Sequence, residues 1–425
     1  MSAAGKLFRH KDIFDLDGTN ELFLRAVREN CGYHYRHNDT YRAILQSRGF
    51  SPDMLKEYQD IARLPFLPTL LFKNHELYSM PKYRMLVRAT SSGTGGRFSR
   101  IGFEAGGLWN GAHMVLRVIN RRRLFSPVPC NYVVLGYKPH RSNHTAVTKT
   151  AFGATLFTPS LHRTYALQYR DGKYSADLDR VAEAIQTYAK SRFPLRFMGF
   201  PSYTYFAMRL LDERGIHLRL PATSKIMLGG GWKQFYREAV DKQEFYDMAK
   251  KVFGVDDSDI VEFYGAVEHP ILYCDCERHH FHIPVYSRVI IRDPETLEPL
   301  PHGKTGLVNL ISPMIRATPI LSVMTDDLGV LHDGSECGCG VDAPFLEIIG
   351  RVGLKEIKTC GAGAAEFLGK KEGALQLSPR ISSPRNSFFA ARVRRFSLIP
   401  TAWRKRKNSA GTSFPYCSRR GMLIR

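Results

Sequence analysis

Apolar residues recur at three- to four-residue intervals over residues 20–30 and 39–46, which predicts amphipathic helices near the start of the chain. An apolar stretch follows over residues 64–72, broken by Pro65 and Pro68. Past residue 130 the period keeps switching. Runs over 132–135, 197–200 and 225–228 predict strands, and the patterns over 175–191 and 232–253 predict helices. Such alternation is the mark of an α/β fold, with sheets joined by crossover helices. From residue 285 short strand-like runs prevail, at 289–292, 306–311, 320–324 and 345–349, so a smaller β-rich subdomain is expected. No internal repeat is present. The expected organisation is a helical segment over 1–80, an α/β core over 81–284, a β-rich subdomain and hinge over 285–368, and a tail over 369–425.

Composition fits this picture: 425 residues with 44% hydrophobic and 12% aromatic content can bury a large core. No run of 18 apolar residues occurs, so no membrane span is expected. Residues 1–11 lack an apolar signal region, which argues against secretion and for a cytoplasmic protein. The formal charge of +21 is unevenly placed, since residues 370–425 hold 14 Lys/Arg and one acid, Glu372. That tail has no amphipathic period and reads as disordered. A basic arm for nucleic acid or anionic membrane is the functional alternative; composition favours a solvated extension, or a frame-shifted segment, so nucleic acid is not an expected partner.

The densest chemistry lies at Thr90, Ser91, Ser92, Gly93, Thr94, Gly95, Gly96 and Arg97. Glycines let backbone N–H groups approach an anion, the hydroxyls add donors, and Arg97 adds charge for phosphate oxygens. No Gly-Lys-Ser/Thr closes the loop, so a Walker A loop is disfavoured. Taken alone, the segment could equally be a surface turn. Gly229, Gly230 and Gly231 follow the apolar run 225–228, where backbone at a strand end can approach a ligand. Tyr264 and Gly265 precede Glu268; the ring offers a stacking face and the carboxylate a Mg²⁺ ligand. Asp326 and Asp327 are read at a turn after the run 320–324, where a carboxylate can accept from a ribose diol. Gly350 and Arg351 close the series.

In this order and spacing the five signatures resemble those of the adenylate-forming superfamily over about residues 60–368. Within it the chain looks most like the acyl-protein synthetases (long-chain-fatty-acid–luciferin-component ligases), with phenylacetate–CoA ligases as relatives; the segment 350–360 tips it to the former. The resemblance implies the large-domain fold of these enzymes, layered α/β subdomains plus a smaller β-rich one, with the C-terminal small domain largely absent. It also implies that residues 91–97 hold the ATP phosphates, Gly229–Gly231 line the adenine pocket and Tyr264 stacks on the base. Glu268 would help bind Mg²⁺, and Asp327 would take the ribose hydroxyls, assisted by Arg351. Three positions depart from the family pattern: Gly95 and Val267 replace hydroxyl residues, and Asp326 replaces a glycine.

The implied chemistry is attack of a fatty-acid carboxylate on the α-phosphate of ATP, giving acyl-adenylate and pyrophosphate. Positioning and charge neutralisation carry such a step. Cys360, with Lys355 and Lys358 just before it, is the expected acceptor thiol, and an acyl reductase the expected protein partner. The alternatives are an acyl- or aryl-CoA ligase and a non-catalytic nucleotide-fold protein with a nucleic-acid-binding tail. A last pattern joins Cys274, Cys276, His279 and His282 to Cys337 and Cys339. Thiolates with imidazole suit tetrahedral Zn²⁺. The expected ligands are Cys276, His282, Cys337 and Cys339, with Cys274 and His279 as substitutes. Free thiols are the plain alternative, and a disulfide is disfavoured in a reducing compartment.

Overall fold

A computed structural model describes residues 1–351, except 92–97, 142, 144, 157, 233, 234, 236 and 237. The N-terminal region carries helices α1 (Ala3–Leu7), α2 (Asn20–His37) and α3 (Asp39–Ser47), the short strand β1 (Leu67–Pro68), and α4 (Thr69–Asn74). The Asn38 side chain accepts from Tyr41 N at 2.9 Å and so starts α3. A hairpin of β2 (Val87–Thr90) and β3 (Arg100–Phe103) comes next, then the long helix α5 (Ala105–Arg121).

The central sheet is built from β4 (Cys130–Tyr137), β5 (Ser160–Arg170), β6 (Lys173–Ala176), β7 (Leu195–Gly199), β8 (Lys225–Gly229), β9 (Ile260–Ala266) and β10 (His269–Cys274). Their order is β10-β9-β8-β7-β4-β5-β6. The five inner strands are parallel, and the two edges run antiparallel. The crossovers carry α6 (Ala146–Ala154), α7 (Leu178–Ala189), α8 (Pro201–Glu213) and α9 (Lys242–Phe253). Val133, Leu135, Phe197, Ile226 and Leu228 bury one face of the sheet against α7, α8 and α9. Parallel strands covered in this way read as continuous apolar runs, which is why the runs at 132–135, 197–200 and 225–228 were visible.

The second sheet is antiparallel. It holds β11 (Phe281–His282), β12 (Arg288–Arg292), β13 (Thr305–Ile311), β14 (Ser322–His332) and β15 (Phe345–Arg351), and β1 adds in parallel to β14. Its core is continuous with the N-terminal helices, since Phe23, Val27 and Leu45 pack with Val308, Leu310 and Val323.

Two expectations need correction. The helix begins at Lys242 and not at residue 232, because Asp241 caps it by accepting from Glu244 N at 2.8 Å. The upstream apolar period instead comes from Trp232 and Phe235 packing on α8 aromatics. Asp326 and Asp327 lie inside β14 and not at a turn. The ladder is irregular there, with register shifts against both β13 and β15, and Thr325 Oγ1 donates across the bulge to Val308 O at 3.1 Å.

Candidate active site

Three distant parts of the sequence meet at one point. Tyr264, near the end of β9, donates its hydroxyl to Asp327 at 2.9 Å. Arg351 stands opposite Asp327 in the β14–β15 ladder and donates from Nε at 3.0 Å. Asp327 is buried and spends both carboxylate oxygens on these partners. Burial, reinforced by the Asp327 charge, pushes the Tyr264 phenol well up, so the tyrosine stays a donor. Tyr264 is half-buried, with Tyr273 and Phe281 beside its ring. Gly265 next to it is fixed by space: a Cβ there would come within 2.7 Å of the Ile271 carbonyl.

Glu268 sits at the tight connection between β9 and β10 and is buried. Burial pushes its carboxyl up, with Asp326 adding to the shift and Ser99 and Lys73 opposing it. Lys73, from α4, lies 3.4 Å from Asp326, and Thr69 donates to the same carboxylate at 3.3 Å. The sequence reading missed Lys73 and Thr69. They reach the site only because β1 pairs with β14, a contact with no local signal.

Ser91 follows β2, and the hairpin closes as Ser91 N donates to Ser99 O at 3.2 Å and Ser99 N donates to Ser91 Oγ at 3.0 Å. Ser92, Gly93, Thr94, Gly95, Gly96 and Arg97 lie outside the described residues, as does Cys360. On the parallel sheet Gly229 ends β8, and Gly230 and Gly231 turn away with φ of 80° and 65°.

The raised Glu268 carboxyl gives a pH signature. Because its folded value exceeds its unfolded one, its contribution to stability is full in acid and lost as pH rises above the ordinary carboxylate range near about 4. In protein without Mg²⁺ or nucleotide, Glu268→Gln is therefore expected to lose less stability than wild type on that rise. Denaturant melts across the weakly acidic range would show equal slopes if the reading were wrong.

A second cluster lies beside β11. The ligand atoms of Cys276, His282, Cys337 and Cys339 all fall within 4.8 Å of one another. Cys276 and Cys337 sulfurs are 3.5 Å apart, and Cys339 Sγ lies 3.1 Å from His282 Nε2. Both cysteines are free thiols at this separation. His282 Nδ1 donates to Ala343 O at 2.6 Å, which leaves Nε2 as a lone-pair donor. Gly338 adopts φ 69°, and this left-handed turn brings Cys337 and Cys339 round to one side. Burial pushes the Cys276 thiol up, but hydrogen bonds with His282 and the backbone at His280 and Arg278 outweigh it and hold the thiol at about 6. Burial and its thiol neighbours push Cys337 up to about 12. Three sulfurs and one imidazole nitrogen converge at these separations, and the donor set and spacing fit tetrahedral Zn²⁺, whose binding would displace the thiol protons. The substitutes are not brought in. His279 Nδ1 bonds Asp275 at 2.8 Å, and Cys274 Sγ lies against the same residue.

The comparisons with known proteins point one way. Residues 12–368 match the family model described as "Acyl-protein synthetase, LuxE". The chain is 25% identical over 372 residues to a long-chain-fatty-acid–luciferin-component ligase of Vibrio harveyi, covering 85% of this chain and 92% of that protein. A phenylacetate-coenzyme A ligase of Thermus thermophilus is 26% identical over 334 residues, covering 74% and 67%. Among solved structures, an open conformation of 2-hydroxyisobutyryl-CoA ligase in complex with 2-HIB-AMP and CoA matches with a TM-score of 0.60 at 16% identity. It covers 81% of this chain and 77% of that one. That likeness shows a shared fold, and the family match reaches further toward the N-terminus than the motifs did.

Proposed function

The chain belongs to the acyl-protein synthetase family, LuxE, and from that premise we propose that it activates a long-chain fatty acid as an acyl-adenylate and passes the acyl group to a protein cysteine. It is an acid–thiol ligase; the acceptor, the partner and the residue roles are our reading. The observation that carries the reading is the meeting of Tyr264, Asp327 and Arg351, which are spread over 88 positions of sequence and close on one carboxylate.

In this reading Asp327 accepts from the ribose hydroxyls, and Tyr264 and Arg351 fix the direction of its lone pairs. Gly229, Gly230 and Gly231 give the adenine a wall with no side chain, and Gly265 lets the β9 backbone run close to it. Residues 91–97 hold the phosphates. Mg²⁺, when bound, neutralises phosphate charge, and Glu268 would hold it, with Lys73 nearby to oppose excess negative charge. The fatty-acid carboxylate attacks the α-phosphate, pyrophosphate leaves, and the thiolate of Cys360 then displaces AMP from the acyl carbonyl. The thioester would serve an acyl reductase.

Zn²⁺ at Cys276, His282, Cys337 and Cys339 would be structural. It would tie the two-residue strand β11 to the loop after β14. Cys337→Ser, or chelation, is expected to lower the melting temperature by more than about 5 °C, with metal analysis falling from about one zinc per chain to none. A zinc-free wild type, or an unchanged melt, would remove the site.

Labelled fatty acid with ATP and Mg²⁺ tests the acceptor. Label should appear on the protein as a thioester without added CoA. The similarity to phenylacetate-coenzyme A ligases makes CoA the competing acceptor, and product formed only when CoA is present would select it.

A further inference from the structure

At the amino ends of the parallel strands lies a charged row that the adenylation chemistry does not use. Ladder pairing places Arg163 of β5, Tyr132 of β4, Arg196 of β7 and Lys225 of β8 side by side on one face of the sheet. Lys225 is neutralised by Asp259 at 2.5 Å. Arg163 is tied to Thr155 through Nε at 2.9 Å and Nη2 at 3.1 Å. Arg196 is different. It is only 2% exposed, and among the described residues its Nε and Nη1 have no hydrogen-bond partner. A buried guanidinium without a counterion is costly, and native proteins supply such a group with an acceptor.

The row has a roof and an apolar rim. Residues 122–128 cross this end of the sheet from β9 to β5: Arg122 donates to Ile260 O at 3.3 Å, Leu124 packs against the apolar cluster that includes Tyr132, Met198 and Met227, and Ser126 N reaches Thr158 Oγ1 at 3.4 Å. Arg123 in that segment is held at φ 51°. Around it stand large apolar side chains that face water: Phe125 at 54% exposure, Leu156 at 62%, and Val128 and Leu161. Their placement together follows from backbone pairing, since Cys130 N bonds Pro159 O at 2.8 Å and Cys130 is opposite Ser160. Exposed apolar side chains at the β4–β5 end of the row, with an unpaired buried cation one strand further on, suit one kind of ligand.

We propose that the amino ends of β4, β5, β7 and β8 form a second binding site, separate from the nucleotide site, for an oxyanion that carries an apolar tail. The head group pairs with Arg196 under the 122–128 segment, and the tail lies along Phe125, Val128, Leu156 and Leu161. Free fatty acid and the acidic head group of a lipid share this chemistry. The assignment does not rest on the adenylation reading.

Thermal melts of the full chain without ATP test it, using monomeric decanoate and monomeric dioctanoyl-phosphatidylglycerol as probes, with acetate and inorganic phosphate as tail-less controls. A concentration-dependent rise in wild-type melting temperature is expected with at least one tailed probe, and which of the two acts identifies the source. Acetate and phosphate should give no comparable rise. Arg196→Met is expected to melt at or above wild type without probe, because it removes an unpaired charge, and to lose the response. Asp327→Ala, altered at the nucleotide site, should keep it. If Arg196→Met does not fold, the double variant Phe125→Ser with Leu161→Ser must lose the response instead. No rise in wild type, an equal rise with acetate, or an undiminished rise in the variants overturns the proposal. Arg196→Met should retain fatty-acid-dependent pyrophosphate exchange, so failure here and failure of the adenylation reading are told apart.

Discussion

Asp327→Ala is expected to lower fatty-acid-dependent exchange of pyrophosphate into ATP by about 10²–10³-fold. Two hydrogen bonds from a ribose diol to a carboxylate, each at the lower end of the charged range at roughly 1.5–2 kcal/mol, give this loss, since 1.4 kcal/mol is a factor of ten. The loss should fall on both KM for ATP and kcat, because the ribose anchors the α-phosphate at a distance. The substitution also strands the Tyr264 hydroxyl and frees Arg351, so a fold control is needed. Asp327→Asn keeps the shape and an acceptor for Tyr264, and should fold while still losing at least about tenfold in exchange. Arg351→Met should cost less, because Arg351 is more exposed than Asp327 and acts on the nucleotide through it. Full exchange in a folded Asp327→Ala protein would remove the carboxylate from the nucleotide site.

Cys360→Ser is expected to abolish covalent acylation while leaving pyrophosphate exchange within about twofold of wild type. The two half-reactions need different groups: phosphate displacement needs positioned donors and charge, whereas acyl capture needs a thiolate. Lys355 and Lys358 precede Cys360 in the sequence, and cations near a thiol would favour its thiolate. Acylation measured by hydroxylamine-labile label should vanish in the variant. Label that persists at wild-type level would move the acceptor to another thiol. Among the described cysteines Cys274 is a poor substitute, because burial and the adjacent Asp275 push its thiol well up.

Much of this was legible in the chain because the relevant signals are local. Buried parallel strands announce themselves as apolar runs, and the glycines after β8 mark where backbone must turn. Cys276, His282, Cys337 and Cys339 do come together in the fold, and thiol and imidazole types so clustered in sequence have few uses other than metal binding. Other features were hidden because they depend on partners far along the chain. Asp326 and Asp327 looked like turn residues, yet a bulged ladder with β13 and β15 carries them inside β14. Lys73 carried no motif; it gains a role through Asp326, beside the Glu268 carboxyl. The helix expected from residue 232 starts ten residues later because an aspartate cap outranked an aromatic period. Arg196 gave no sign in the sequence at all, since an arginine in a strand is ordinary until its burial and missing partner are seen.

The most direct test of the central claim is the fate of ATP when purified protein meets Mg²⁺ and carboxylic acids of increasing chain length. The account predicts AMP and pyrophosphate, formed only when an acid is present and fastest with long-chain fatty acids. Release of ADP and phosphate, or no acid-dependent turnover with any chain length, would contradict it.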